Sequence, residues 1–144
     1  MLGKIIVAIC ALILVLFVGT GLYFSYVANP KITKELNSEP NGERAAKVML
    51  LTLPSGKTIP VNYLREGEFV FVGADGRWWR EFQHDGKRVE VFIRGEALEG
   101  NAVAMTEDPE YRDNIFERLR PTVPTWMPEY FKGVLVRIDI APAT

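Results

Sequence analysis

The feature that most constrains this chain is an uncharged apolar stretch near its start. No charged residue lies between Lys4 and Lys31, and 17 of the 20 residues from Ile5 to Phe24 are hydrophobic. As an α-helix, 20 residues extend about 30 Å, which matches the hydrocarbon core of a bilayer. The sequence therefore predicts a single-pass transmembrane anchor over residues 1–28, with the lipid bilayer as a partner.

A cleaved signal peptide is the alternative interpretation of this stretch. Lys4 would be its charged start, and Gly19 and Gly21 would be the small residues before a cleavage site. The apolar run is longer than the roughly 7–15 residues of a signal-peptide core, which favours a retained anchor. Lysines flank the run on both sides, so the positive-inside rule leaves the membrane side of the remaining chain open.

Charge and composition exclude several classes of function. The chain has 17 basic and 18 acidic residues and a net charge of -1, so it lacks the basic excess that a nucleic-acid partner requires. Its single cysteine, Cys10, lies within the apolar run, and its single histidine is His84. An intramolecular disulfide is impossible, and neither a zinc cluster nor thiol catalysis is expected.

The chain after the anchor divides into a linker and one folded domain. Residues 29–43 are rich in proline, asparagine and glycine, which predicts a polar linker. Residues 44–144 hold most of the remaining apolar residues, enough for one small core.

Alternating apolar residues and turn signals every 8–12 positions predict a mainly β domain. One helix is predicted from Pro109, with Asp108 as its N-cap, to the prolines that begin at Pro121. The fold class is a small β-barrel of six to seven strands with one helix across an opening, preceded by a transmembrane helix. The predicted strands are Lys47–Leu53, Thr58–Leu64, Phe69–Gly73, Arg77–Gln83, Arg88–Arg94, Glu96–Met105 and Gly133–Ile140.

The turn Ser55-Gly56-Lys57-Thr58 is the first candidate for chemistry. Two hydroxyls, one lysine and the backbone N–H groups of a glycine turn are able to hold a phosphate. The alternative is an ordinary hairpin turn with a solvated lysine, and the residues of the turn alone favour that alternative.

Two aromatic segments are the other candidates. Arg77-Trp78-Trp79-Arg80 on a strand would send the two indoles to opposite faces, one into the core and one towards a ligand ring or an outer surface. The loop from Trp126 to Phe131 would roof a pocket for a flat ligand, plug a barrel end or contact the bilayer surface.

The order of these motifs resembles the deazaflavin-dependent nitroreductase family of the split β-barrel flavin-binding superfamily. The motifs that carry the likeness are Ser55-Gly56, Pro60-Val61-Asn62-Tyr63, Gly73 to Gly76, Trp78-Trp79 and Asp108-Pro109-Glu110. The resemblance implies a split barrel, a deazaflavin coenzyme or FMN as cofactor, hydride transfer to a small-molecule acceptor, and a homodimer. A reductase of this type would face the cytoplasm.

Carried over position by position, the resemblance implies a set of binding residues and no catalytic side chain. Tyr130 and Trp126 would face the substrate. The residues implied for the cofactor are Ser55, Gly56, Lys57, Thr58, Pro60, Asn62, Gly73, Ala74, Trp78, Trp79 and Arg80.

One departure from the family pattern supports a second hypothesis. The family places Gly-Arg before Ser-Gly, whereas this chain has Leu53-Pro54, so a phosphate-binding arginine is missing. The alternative function is a non-catalytic split-barrel accessory or interaction module at the membrane that binds no cofactor.

Overall fold

The computed structural model describes residues 1–141, and these residues form two compact units that divide between Glu35 and Leu36. The last three residues of the predicted domain, 142–144, lie outside the described part. The first unit is helical. It contains α1 (Leu2–Tyr23), one π-helical turn (Phe24–Ala28) and most of α2 (Asn29–Ser38), and no residue of α1 is buried. The helix Leu2–Ser38 is long and apolar enough to cross a membrane.

The first ten residues of the predicted linker are helical rather than irregular. Asn29–Ser38 forms α2, with Pro30 in its first turn. A proline is tolerated there because the first N–H groups of a helix have no partner within the helix to lose. A short 3₁₀ helix, Arg44–Ala46, precedes the barrel.

The second unit is a closed antiparallel barrel of six strands, which confirms the predicted fold class. The order around the barrel is β1-β2-β3-β6-β5-β4. The last strand, β6, therefore closes the barrel between β3 and β5. The strands are β1 (Val48–Thr52), β2 (Thr58–Glu66), β3 (Phe69–Ala74), β4 (Lys87–Ile93), β5 (Glu96–Met105) and β6 (Val134–Ile140).

The prediction of a strand at Arg77–Gln83 is wrong. Residues Arg77–Phe82 form a 3₁₀ helix, and its Phe82 is fully buried in the barrel core. The rings of Trp78 and Phe82 lie 6.1 Å apart, edge to face. Positions 78, 79 and 82 share one side of a helical turn, so their spacing carries a helical period that the β-prone residue types obscured.

The helix α3 (Pro109–Leu119) is confirmed, but it covers a wall of the barrel rather than an opening. The Asp108 side chain accepts a hydrogen bond from the backbone N–H of Tyr111, as an N-cap does. The buried residues of α3, Ile115 and Phe116, form a second core with Phe71 and Leu135, which lie on the outer face of the sheet. The interior is filled instead by the alternate residues of these strands, such as Val72 and Val136, together with Phe82.

Candidate functional site

The β1–β2 turn presents the predicted phosphate-binding residues on the surface. Ser55, Gly56, Lys57 and Thr58 are all exposed. Gly56 has a φ of 88°, a left-handed conformation in which glycine is the least strained residue. The turn is closed by backbone bonds from Leu53 N–H to the Lys57 carbonyl at 2.9 Å and from Gly56 N–H to the Leu53 carbonyl at 2.8 Å.

Two threonine hydroxyls lie side by side at the base of this turn. The Oγ1 atoms of Thr52 and Thr58 are 2.9 Å apart, and either is able to donate. Because one hydroxyl donates to the other, the second keeps a free O–H. With Ser55 and Lys57, the turn therefore offers three side-chain donors and one positive charge.

Strand β2 changes partners halfway along its length. Residues Thr58–Asn62 pair with β1, whereas Tyr63–Glu66 pair with β3. In the described part of the chain, residues 58–62 have no strand on their other side. Ile59, Val61 and Tyr63 pack on the barrel core. Pro60 and Asn62 therefore lie on the outer face, beside this open edge.

Pro60 removes a hydrogen-bond donor from the open edge. The bonds from Leu53 N–H to Lys57 O and from Tyr63 N–H to Lys47 O place the hydrogen-bonded pairs of the β1–β2 ladder at the odd positions of β2. These pairs alternate in an antiparallel ladder, so the nitrogen of Pro60 points away from β1. Proline therefore leaves position 60 without an N–H to donate to a second chain.

Gly73 and Ala74 end β3 at the same end of the barrel as the β1–β2 turn. Ala74 is 1% exposed and belongs to the barrel core. Gly73 faces outward, but the guanidinium of Arg120 fills the space beside it, 2.5 Å from where a Cβ would lie. Neither residue presents side-chain surface to solvent.

Trp78 and Trp79 do not point to opposite faces. Both are half-buried and pack against the barrel core, because the segment is helical rather than extended. Arg80 is exposed, and its guanidinium carbon lies 5.8 Å from the centre of the Trp79 ring, a cation–π contact.

The two predicted substrate residues are exposed to solvent. Trp126 is 80% exposed and Tyr130 is 79% exposed. Tyr130 lies in the short helix α4 (Glu129–Lys132), and its ring is 4.3 Å from that of Phe131. They contribute no wall to the cavities described below.

Arginine side chains that the sequence analysis did not single out fix the segment between α3 and β6. Arg112 contacts Asp113 and Glu129, both at 2.9 Å, and thereby ties α4 to α3. Burial would lower the pKa of Arg112, but its hydrogen bonds to Glu129 and Asp113 and their charges raise that pKa above its ordinary value. Its partner Glu129 is 17 residues away, and no local spacing in the sequence signals that pair.

Arg120 ties the end of α3 to the end of β3. Its Nη1 and Nη2 donate to the two carboxylate oxygens of Asp75 at 2.7 and 3.0 Å, a bidentate pair. Nη2 also donates to the Gly73 carbonyl at 2.9 Å, and Nη1 to the Lys132 carbonyl at 3.3 Å. Four of its five N–H groups are therefore in use.

A cavity of about 110 Å³ lies beneath the segment that this arginine anchors. Other open depressions lie between the end of β5 and His84 and beside Leu64, at the Arg94 turn. The residues around the first cavity are Asp113, Phe116, Glu117, Arg120, Val123, Pro124, Thr125 and Lys132. The residues described contain no cluster of acidic, histidine or cysteine side chains able to hold a metal ion.

The structure thus brings part of the predicted set together. Ser55–Thr58, Pro60 and Asn62 form one exposed turn and the outer face of the strand that follows it. Gly73, Ala74, Trp78 and Trp79 lie at the same end of the barrel, where core packing and Arg120 cover most of their surface. Trp126 and Tyr130 belong to a different segment, between α3 and β6.

Comparison with known proteins identifies the fold. The sequence matches no model of a protein family and no curated protein. Eight chains of solved structures match. One is a Listeria innocua protein provisionally named a pyridoxamine 5'-phosphate oxidase, with a TM-score of 0.54 and 18% sequence identity over 77% of this chain and 91% of that one. The two chains share a fold.

Proposed function

We propose that the barrel binds a phosphate-bearing flavin, either FMN or a deazaflavin coenzyme, and passes a hydride to a small acceptor. The observation that carries the proposal is the exposed donor set of Ser55, Lys57 and the Thr52–Thr58 pair at the start of a strand with one open edge. The fold shared with a protein named as an oxidase of a phosphorylated pyridine compound supports a redox role. Fold alone does not fix an activity, so the site carries the argument.

The donor set fits a phosphate group. Lys57 supplies a charge, Ser55 a hydroxyl and the threonine pair one free O–H, and the turn backbone is held in place by its own bonds. Each charge-assisted hydrogen bond to a phosphate contributes about 1.5–3 kcal/mol. In this proposal Lys57 takes over from the arginine that the Leu53-Pro54 sequence lacks.

The outer face of β2 suits a flat ring. From Thr58 to Asn62 the strand extends about 13 Å, and Pro60 and Asn62 alternate along its outer face. Pro60 would contact one ring face, and the Asn62 amide is able to donate and accept at a ring edge. Gly73 and Ala74, which Arg120 and the core cover, would contribute backbone contacts only, while Arg80 and Trp79 would border the ring.

A bound flavin supplies the hydride, and the chain supplies position. Lys57 and Ser55 hold the phosphate, Pro60 and Asn62 orient the ring, and no side chain is required to act as an acid or base. We place Trp126 and Tyr130 on the acceptor side, in a second copy of the chain if the protein is a homodimer. The helix Leu2–Ser38 would hold the domain at a bilayer, with the domain in the cytoplasm where reduced coenzymes are available.

One observation favours the second candidate, an accessory module without a cofactor. None of the three cavities described above is lined by Ser55–Thr58, Pro60 or Asn62. A flavin on this face would therefore lie on an open surface unless another protein surface covers it.

Flavin titration of the full-length chain in lipid nanodiscs separates the two candidates. We expect FMN or the deazaflavin coenzyme to bind, seen as quenching of flavin fluorescence, and Lys57→Ala to weaken binding by roughly tenfold or more. Lys87→Ala is the matched control, since Lys87 is an exposed lysine at the same end of the barrel. Folded protein that binds neither flavin would contradict the flavin proposal and support the accessory role.

A further inference from the structure

We propose that the cavity beneath residues 121–132 is a binding site for a small carboxylate with a compact apolar body. The cavity measures about 110 Å³ and lies outside the predicted flavin site. The proposal does not depend on the proposed function. It rests on the shape of the cavity, on the contacts that hold its walls, and on the Lys132 ammonium group, which has N–H donors without an acceptor in the described part of the chain.

Two arginine side chains tie the segment over the cavity to the rest of the barrel domain. Arg120 joins the end of α3 to Asp75 and to the Lys132 carbonyl, and Arg112 joins α3 to Glu129 of α4. Gly133, which follows α4, has a φ of 78°, and a Cβ there would lie 2.7 Å from the Ala74 carbonyl oxygen. Because these walls are held before a ligand binds, binding loses less conformational entropy in ordering them.

The chain leaves this cavity unfilled although aromatic side chains are adjacent in sequence. Trp126 follows the lining residue Thr125, and Phe131 precedes the lining residue Lys132. Trp126 is 80% exposed and Phe131 is 63% exposed. Side chains large enough to fill the space are therefore turned towards solvent.

Lys132 is the group that selects the ligand. Its side chain is 18% exposed, and within the described residues its ammonium has one ionic partner, Asp113 Oδ2 at 3.9 Å. That distance is too long for a hydrogen bond, and Asp113 is already paired with Arg112 at 2.9 Å. The ammonium therefore retains donors for an incoming acceptor.

The other charged side chains that line the cavity limit the charge of the ligand. Arg120 has four of its five N–H groups in use, so it offers little to an anion. Glu117 is exposed and has no ionic partner among the described residues, so a second negative charge on the ligand would be repelled there. A ligand with a single carboxylate bound at Lys132 needs no donor from Arg120 and places no second negative charge near Glu117.

The apolar part of the lining sets the size of the ligand. Phe116, Val123 and Pro124 line the cavity together with the charged groups. A closed cavity of about 150 Å³ holds benzene. The cavity of this protein, about 110 Å³ and open to solvent on one side, suits one ring or a branched alkyl group, with the carboxylate of the ligand near Lys132.

The test uses fluorinated probes and the full-length chain in nanodiscs. Binding of 4-fluorobenzoate, 4-fluorobenzyl alcohol and 4-fluorobenzylamine is followed by ¹⁹F line broadening. We expect the benzoate to bind with a Kd on the order of 1 mM, the alcohol more weakly and the amine not measurably. Absence of benzoate binding, or a preference for the amine, would overturn the proposal.

Two variants assign the binding to this cavity. Lys132→Met keeps the length and apolar body of the side chain, and it should weaken benzoate binding at least tenfold while leaving the alcohol unchanged. Val123→Phe should fill the cavity and abolish binding of both probes. The exposed Lys87→Met is the control and should bind as wild type does. Unchanged benzoate affinity in both cavity variants would place the probe elsewhere and refute the site.

Discussion

The guanidinium of Arg120 occupies the position where any other residue at position 73 would carry its Cβ. The ideal Cβ position on Gly73 is 2.5 Å from Nη2 and 2.6 Å from Cζ of Arg120. The same guanidinium is held by Asp75 at 2.7 Å and stacks over Phe116, with 5.5 Å from Cζ to the ring centre. The glycine at 73 is thus explained by a residue 47 positions away.

Gly73→Ala should displace Arg120 from its carboxylate partner. We expect a loss of about 1–3 kcal/mol in the free energy of unfolding, because the added methyl group overlaps a side chain that is held at both ends. Urea unfolding of the full-length chain in detergent measures this loss of stability. In the Arg120→Ala background the same substitution should cost far less, and additive effects of the two substitutions would refute the overlap.

Arg120→Met should destabilise the barrel more than the loss of an exposed ion pair does. The Arg120 side chain is 17% exposed and donates to three partners, so we expect a loss of about 1–2 kcal/mol. Arg88→Met removes the pair with Glu99, whose side chains are 75% and 55% exposed, and should cost less than about 0.5 kcal/mol. Equal unfolding midpoints in urea for the two variants would contradict the structural role of Arg120.

Phe82→Ala should leave a cavity in the barrel core. Phe82 is 0% exposed, so truncation of its ring should cost about 3–5 kcal/mol. Trp126→Ala removes a larger ring that is 80% exposed and should change the stability by less than about 0.5 kcal/mol. Thermal unfolding followed by near-ultraviolet circular dichroism measures both, and a mild effect at Phe82 would argue against burial of its ring in the barrel core.

Pro60→Thr should promote association between barrels. The substitution restores a backbone N–H on the open edge of β2, where another strand is then able to pair. We expect larger particles by dynamic light scattering at high protein concentration. Pro121→Thr, at an exposed proline after α3, is the control and should not associate. Monodisperse Pro60→Thr would show that the edge is protected by something other than proline.

The N-terminal helix should be retained and hold the chain in the membrane. We expect a tag at the N-terminus and a reporter after the last residue to remain together in the membrane fraction after carbonate extraction, with the reporter in the cytoplasm. Leu12→Arg with Val15→Arg should release the chain, since each arginine at the bilayer centre costs about 2.5–3.5 kcal/mol. Tyr26→Arg, beyond the predicted apolar run, is the control. Loss of the N-terminal tag together with release of the reporter from the membrane fraction would indicate a cleaved signal peptide.

Most strands of the barrel could be predicted because their determinants are local. Inward and outward residues alternate along β4 and β6, and Asp108-Pro109 marks the start of α3 by cap chemistry alone. The segment 77–82 could not be predicted in the same way. Its tryptophans favour a strand by residue type, and contact of Phe82 with the barrel core outweighs that preference.

Only part of the candidate sites could be predicted, for the same reason. Ser55–Thr58 is a turn whose composition and exposure follow from neighbouring residues. Whether Gly73 is open or covered depends on Arg120, and whether Lys132 has a full set of partners depends on Asp113 and on the path of residues 121–131. These contacts arise because β6 closes the barrel between β3 and β5, which brings residues far apart in the sequence side by side.

The sequence by itself determined the apolar N-terminal helix, the small β-barrel, the cap of α3 and the classes of chemistry that one histidine and one cysteine exclude. These features depend on periodicity, caps and composition, which act over a few residues. The tertiary structure decided which wall of the barrel α3 covers, which predicted site residues remain accessible, and where the chain leaves a cavity. Each of these depends on packing and ion pairs between residues tens of positions apart, and local patterns do not encode such contacts.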